Sequence, residues 1–160
     1  CTAALDDIEE NRARAFYYIA HCMGSSGFPK DLRYAAEGEP SVLCGYVDFL
    51  SGYLGIKPKA IHPLYTQCHT ENLIREKLQE LHCEDAREQD IAAVNNVLLL
   101  AGANTIVELN TYSNNIFGIE TANPGSGYIH VIPKTYVGCQ GALYLLEQVL
   151  NGTKLLRSWL

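Results

Sequence analysis

The sequence predicts a mainly α protein, a single domain over residues 1–160 with at most a small β hairpin, stapled by disulfides. Three observations carry that expectation. Apolar residues recur at spacings of three, four and seven along most of the chain, which is the period of helices with one buried face. The chain has 160 residues of which 48% are hydrophobic, enough to bury one core and too few for two ordinary domains. Its six cysteines, Cys1, Cys22, Cys44, Cys68, Cys83 and Cys139, are even in number and widely spread, without the C-x-x-C spacing of zinc or redox sites. They predict three disulfides and therefore a secreted, extracellular protein, with the pairing left open.

In chain order, Leu5, Ile8, Ala15, Phe16, Ile19 and Met23 define the face of a first helix that stops at Gly24. Its start is acidic, with Asp6, Asp7, Glu9 and Glu10, which suits the positive end of a helix dipole. Loops follow at Gly24–Pro29 and Gly38–Ser41. Leu43, Val47, Leu50 and Leu54 give a second helix ending at Gly55. Ile56–His69, which contains Pro58 and Pro63, reads as an irregular connection stapled at Cys68. Leu73, Ile74, Leu78 and Leu81 give a third helix closed by Cys83. The spacing predicts a fourth helix from Asp85 to Ala101, whose last turns, Val97–Ala101, are apolar all round and thus central to the core. Gly102-Ala103-Asn104 breaks it, and a helical turn runs on to Tyr112. A glycine-rich loop follows, with strand character at Tyr128–Ile132, and a last helix from about Thr135 to Leu150 turns Cys139, Leu143, Leu146 and Leu150 inward.

Charge and hydropathy exclude several function classes. A net charge of −6 with 19% charged residues gives no nucleic-acid footprint and no disordered composition. No apolar run reaches the roughly 18 residues of a membrane span. The opening on Cys1, without a basic-plus-apolar leader, is what a mature secreted chain shows, and Asn151-Gly152-Thr153 is a glycosylation sequon. His62, Cys68, His69, His82 and Cys83 fit no metal-ligand spacing, and no phosphate-binding glycine pattern occurs, so neither metal nor cofactor is expected.

The richest stretch for chemistry is residues 104–152. Ser126-Gly127-Tyr128-Ile129-His130-Val131-Ile132-Pro133-Lys134-Thr135 resembles the S-G-L-M-Q-[IV]-M-P-x-T motif of the lytic transglycosylases, members of the lysozyme superfamily. Glu108, 19 residues before Gly127, stands where that family has its catalytic acid, given a small insertion. Gly141-Ala142-Leu143-Tyr144-Leu145 is similar to the family's G-x-x-Y-L segment, and His130 replaces its usual Gln. The resemblance covers about the last third of the chain. It implies a lysozyme-like fold and cleavage of a β-1,4-linked amino-sugar polymer, peptidoglycan by resemblance or a neutral chitin-like glycan by charge.

In that reading Glu108 is the proton donor and Glu120 the candidate second carboxylate, while Tyr112, Ser113, Asn114, Tyr128, His130 and Tyr144 hold the sugar. An acid of this kind needs an apolar setting to raise its pKa from about 4.3 to about 6. Each residue also has a plainer reading: Thr105-Ile106-Val107-Glu108 matches a capping box, Glu120 a solvated loop residue, the tyrosines packing, and Ser113-Asn114-Asn115 a turn. The alternative function is a non-catalytic secreted structural or binding protein of the same fold. A polysaccharide or cell-wall glycan is the expected partner, and the sequence leaves the oligomeric state open.

Overall fold

Four strands form one parallel sheet in the order β2-β1-β3-β4, flanked by helices, so the protein is α/β and the expectation of a mainly α, lysozyme-like domain is corrected. The computed structural model describes residues 2–24, 27–66, 69–109, 115–121 and 138–157. The elements are α1 (Thr2–Met23), β1 (Arg33–Gly38), α2 (Pro40–Tyr46), β2 (Lys57–Pro63), α3 (His69–Glu80), β3 (Val97–Ala101), α4 (Ala103–Leu109), β4 (Ile116–Glu120) and α5 (Gly138–Arg157).

The helices at α1, α2, α3 and α5 follow the apolar spacing. The strands do not, and the reason is local. Val97–Ala101 is buried at every position, and a short apolar run buried all round has no period that separates a strand from a helix. It is β3, the centre of the sheet, and the rest of the expected fourth helix is two 3₁₀ turns, Glu84–Arg87 and Ile91–Ala93. The supposed irregular connection is β2, whose Pro58 and Pro63 are tolerated because it is an edge strand. There the register slips from Tyr34↔Pro58 to Ala35↔Ala60, so Lys59 is an extra residue opposite β1. Its ammonium donates to the Asn95 carbonyl at 3.0 Å.

The two faces of the sheet are covered unequally. On one, Tyr34, Ala36, Ile61, Leu98, Leu100 and Ile119 pack beneath α2, α3 and α5. On the other, Ala35, Ala60, Val97, Leu99 and Ala101 meet Ile91, Val94 and Ile106. Close approach needs glycine at two points. A Cβ on Gly152 of α5 would lie 2.4 Å from Phe117 Cδ1 and 2.6 Å from Leu98 Cδ2; one on Gly118 of β4 would lie 2.6 Å from Ile106 Cγ2 of α4. The sequon is therefore a helical segment pressed on the sheet, with Thr153 buried and its hydroxyl donating to the Val149 carbonyl at 2.7 Å.

The helix after β1 continues from α2 into a π-helical segment, Val47–Tyr53. Ser51 ties that segment down, donating to the Ile56 carbonyl at 2.9 Å and pairing with the Tyr34 hydroxyl at 3.1 Å. Burial pushes the Tyr34 phenol far above its ordinary value, the Ser51 bond opposing. At the amino edge of the sheet, Asn96 and Asn115 take left-handed conformations, φ 54° and 50°, immediately before β3 and β4. The Asn115 amide donates to Asn96 Oδ1 at 2.9 Å, latching the register Val97↔Ile116.

The expectation of three disulfides is also corrected. Cys22, Cys44, Cys83 and Cys139 are all free thiols. They sit on α1, α2, the turn after α3 and α5, and Cys44 and Cys83 are held above the ordinary thiol pKa, chiefly by burial.

Candidate functional site

The strand order makes the chain wind outward in two directions, from β1 to β2 on one side and from β3 to β4 on the other. The connections leaving β1 and β3 therefore part company at the carboxyl ends of these strands, the position at which open α/β sheets bind ligands. The residues at this rim follow from strand parity. Glu37↔His62 and Ala101↔Glu120 are register pairs, and Ala36↔Leu100 places Glu37 and Ala101 side by side. Across the sheet the row reads His62, Glu37, Ala101, Glu120. All four have the parity of Ala35, Ala60, Leu99 and Gly118, so they share the face covered by α4.

Glu37 is the centre of the row and is mostly buried, its side chain 15% exposed. Its Oε2 lies 2.9 Å from His62 Nδ1, while Oε1 accepts a hydrogen bond from the Thr105 hydroxyl of α4. Both carboxylate oxygens are thus held, and the His62 side chain is 56% exposed. Ala101, fully buried, stands between Glu37 and Glu120 in the row. Beneath the rim, the Thr121 amide donates to the Ala101 carbonyl at 2.9 Å, and Tyr46 of α2 is bonded to Thr121. Burial pushes the Tyr46 phenol up to about 12, that bond opposing, so it stays a neutral support.

A second cluster fixes the strand that carries His62. Arg87 donates to the Ile61 carbonyl at 3.1 Å and to Glu71 Oε1 at 3.0 Å; Arg75 donates to the same oxygen at 2.8 Å. Glu71 is buried, and its carboxyl is held below the usual range, first by the Arg87 bond and then by Arg75, against the cost of burial. This ion cluster grips the backbone one residue before His62.

Of the candidate catalytic and substrate-binding residues, Glu120 alone joins the row, and His62, considered only as a metal ligand, joins it beside Glu37. Glu108 is exposed near the end of α4, while its apolar neighbours Ile106 and Leu109 turn onto the sheet. Thr105 bonds Glu37 rather than closing a capping box. Tyr144 lies on α5, lining a groove against α1. Tyr112, Ser113, Asn114, Tyr128 and His130 lie outside the described residues. Glu37 and His62 were missed because nothing in their spacing signals a site; only the parallel pairing of β1 with β2 brings them together. No cluster of three or more His, Cys, Asp or Glu arranged to hold a metal occurs among the described residues, and no described helix is long and apolar enough to cross a membrane.

Compared with protein-family models, curated proteins and solved structures, the chain matches none.

Proposed function

We propose that this chain binds a small, hydroxyl-rich molecule, a sugar or polyol, at the carboxyl rim of its sheet, with Glu37 and His62 as a proton-transferring pair. The observation that carries the reading is the Glu37 carboxylate held by Thr105 on one oxygen and His62 on the other, at the point where the strand order reverses. A carboxylate oriented in this way fixes the tautomer and orientation of an imidazole, which is what general acid–base work requires. The rim's charge selects the ligand class. Gly38-Glu39-Pro40 opens α2 with a carboxylate and a residue lacking an N–H, which removes the usual phosphate seat at a helix start. Hydroxyl donors suit such a rim, since ionised carboxylates only accept.

The test is calorimetric titration of a sugar and polyol panel into the wild type, Glu37→Gln and His62→Gln. Hydrogen bonds to charged groups contribute about 1.5–3 kcal/mol, so each variant should weaken binding of a true ligand at least roughly tenfold. Binding unchanged in both variants would sink the reading.

Glycan cleavage is the second reading, favoured by one observation. Glu37 and Glu120 flank Ala101 in the same row, two inter-strand spacings apart, so that two carboxyl-bearing residues share one face of the sheet. Inverting glycosidases work with two carboxyls placed on either side of the scissile bond. Product analysis by mass spectrometry on chitin oligomers and peptidoglycan, with Glu37→Gln, Glu108→Gln and Glu120→Gln variants, separates the outcomes. Cleavage lost in Glu37→Gln and Glu120→Gln supports the rim as the catalytic site, and loss in Glu108→Gln alone moves the acid to α4. No cleavage leaves a binding protein.

A further inference from the structure

Two features away from the rim fit each other. Every residue from Ala4 to Glu10 of α1 is exposed, including Leu5 (60%) and Ile8 (45%), although α1 continues as one helix to Met23. The second half of α1 is anchored, with Ile19, Cys22 and Met23 packed against Leu146 and Leu150 of α5. Beside that contact the two helices leave a groove of about 700 Å³, floored by Ala15, Leu143 and Leu146 and edged by Arg14 and Lys154, with Glu147 as its one acid. The exposed half of the helix is apolar at Leu5 and Ile8 and carries four acids, Asp6, Asp7, Glu9 and Glu10. The groove has room for apolar side chains and an excess of positive charge.

We infer that α1 pairs antiparallel with α1 of a second copy, each exposed first half lying in the α1–α5 groove of the other, so that two α1 and two α5 helices form a four-helix interface. Leu5, Ile8, Arg12, Ala15, Ile19 and Cys22 alternate spacings of three and four, the seam that lets two helices pack at a shallow angle. Charge fixes the direction. In the antiparallel arrangement the acidic half, residues 6–10, meets the half carrying Arg12 and Arg14; the parallel one would set four acids against four. Within one copy Glu9–Arg12 and Glu10–Arg14 are exposed pairs at 3.4 and 2.9 Å, and such pairs exchange partners at little cost. The contact is isologous and closed, as two-fold dimers are.

Sedimentation equilibrium on the 160-residue chain, down from roughly 100 µM, where even a micromolar dimer is assembled, measures the association. The wild type should be dimeric. Leu5→Glu/Ile8→Glu, at exposed positions, should be monomeric with an unchanged circular dichroism spectrum. Arg14→Glu/Lys154→Glu should raise the dimer Kd at least roughly tenfold, and adding Glu9→Lys/Glu10→Lys to that variant should restore it. A wild type that stays monomeric throughout, a dimer that survives Leu5→Glu/Ile8→Glu, or a Kd indifferent to the charge reversals would overturn the inference.

Discussion

Glu71 shows how a single buried carboxylate serves the rim from a distance. It accepts from Arg87 and Arg75, and Arg87 in turn holds the Ile61 carbonyl beside His62. Removing one partner of a buried ion cluster leaves the other charges uncompensated, so Glu71→Ala should cost about 3 kcal/mol in urea unfolding. The pH dependence has a definite sign. Because the folded carboxyl is held low, its contribution is complete above the unfolded value of about 4.3 and is lost as pH falls through the lower folded value. Urea midpoints measured downwards from pH 6 should therefore fall more gently for Glu71→Gln than for the wild type, and parallel curves would contradict the assignment. Glu37 could not have been found this way in the sequence. It sits in Arg33–Gly38, a stretch with two alanines and no strong period, and gains meaning only through His62, 25 positions on, and Thr105, 68 positions on.

Among the elements, the helices were legible and the strands were not. α3 and α5 show one buried stripe each, which period 3.6 reveals, and α1 forms where the spacing put it although Leu5, Ile8 and Phe16 of its predicted face are exposed, whereas β3 is buried on both faces and β1 pairs on both edges, so neither alternates. β2 was hidden by its prolines, which mark an edge rather than a loop. Glycine at 152 read in the sequence as the middle residue of a glycosylation sequon. Its physical role is to let α5 touch Phe117 and Leu98. Gly152→Ala gains helix propensity of about 1 kcal/mol but forces a methyl into occupied space, at a cost of about 1–3 kcal/mol, with packed ring and leucine atoms unable to retreat far. The expected outcome is a lower thermal midpoint, where an exposed helical glycine changed to alanine would raise it. A raised midpoint would show that the helix–sheet contact is loose.

At the scale of the whole molecule, the even cysteine count pointed to an oxidised, stapled fold, and the core shows why staples are unnecessary. Buried residues on both faces of a parallel sheet supply the cohesion that small disulfide-rich domains lack. Thiol titration under denaturing, non-reducing conditions should find at least four reactive thiols per chain, for Cys22, Cys44, Cys83 and Cys139; fewer than four would contradict this arrangement. The same sheet, by reversing its winding between β1 and β3, has its switch point where Glu37, His62 and Glu120 share one row. Nitrogen–proton correlation NMR with the sugar and polyol panel probes that placement residue by residue. Shift changes should centre on the backbone amides of Glu37, Gly38, His62, Ala101, Gly102 and Glu120. No change with any member of the panel, or changes confined to the α1–α5 groove or to Asn96 and Asn115 at the opposite edge, would contradict it.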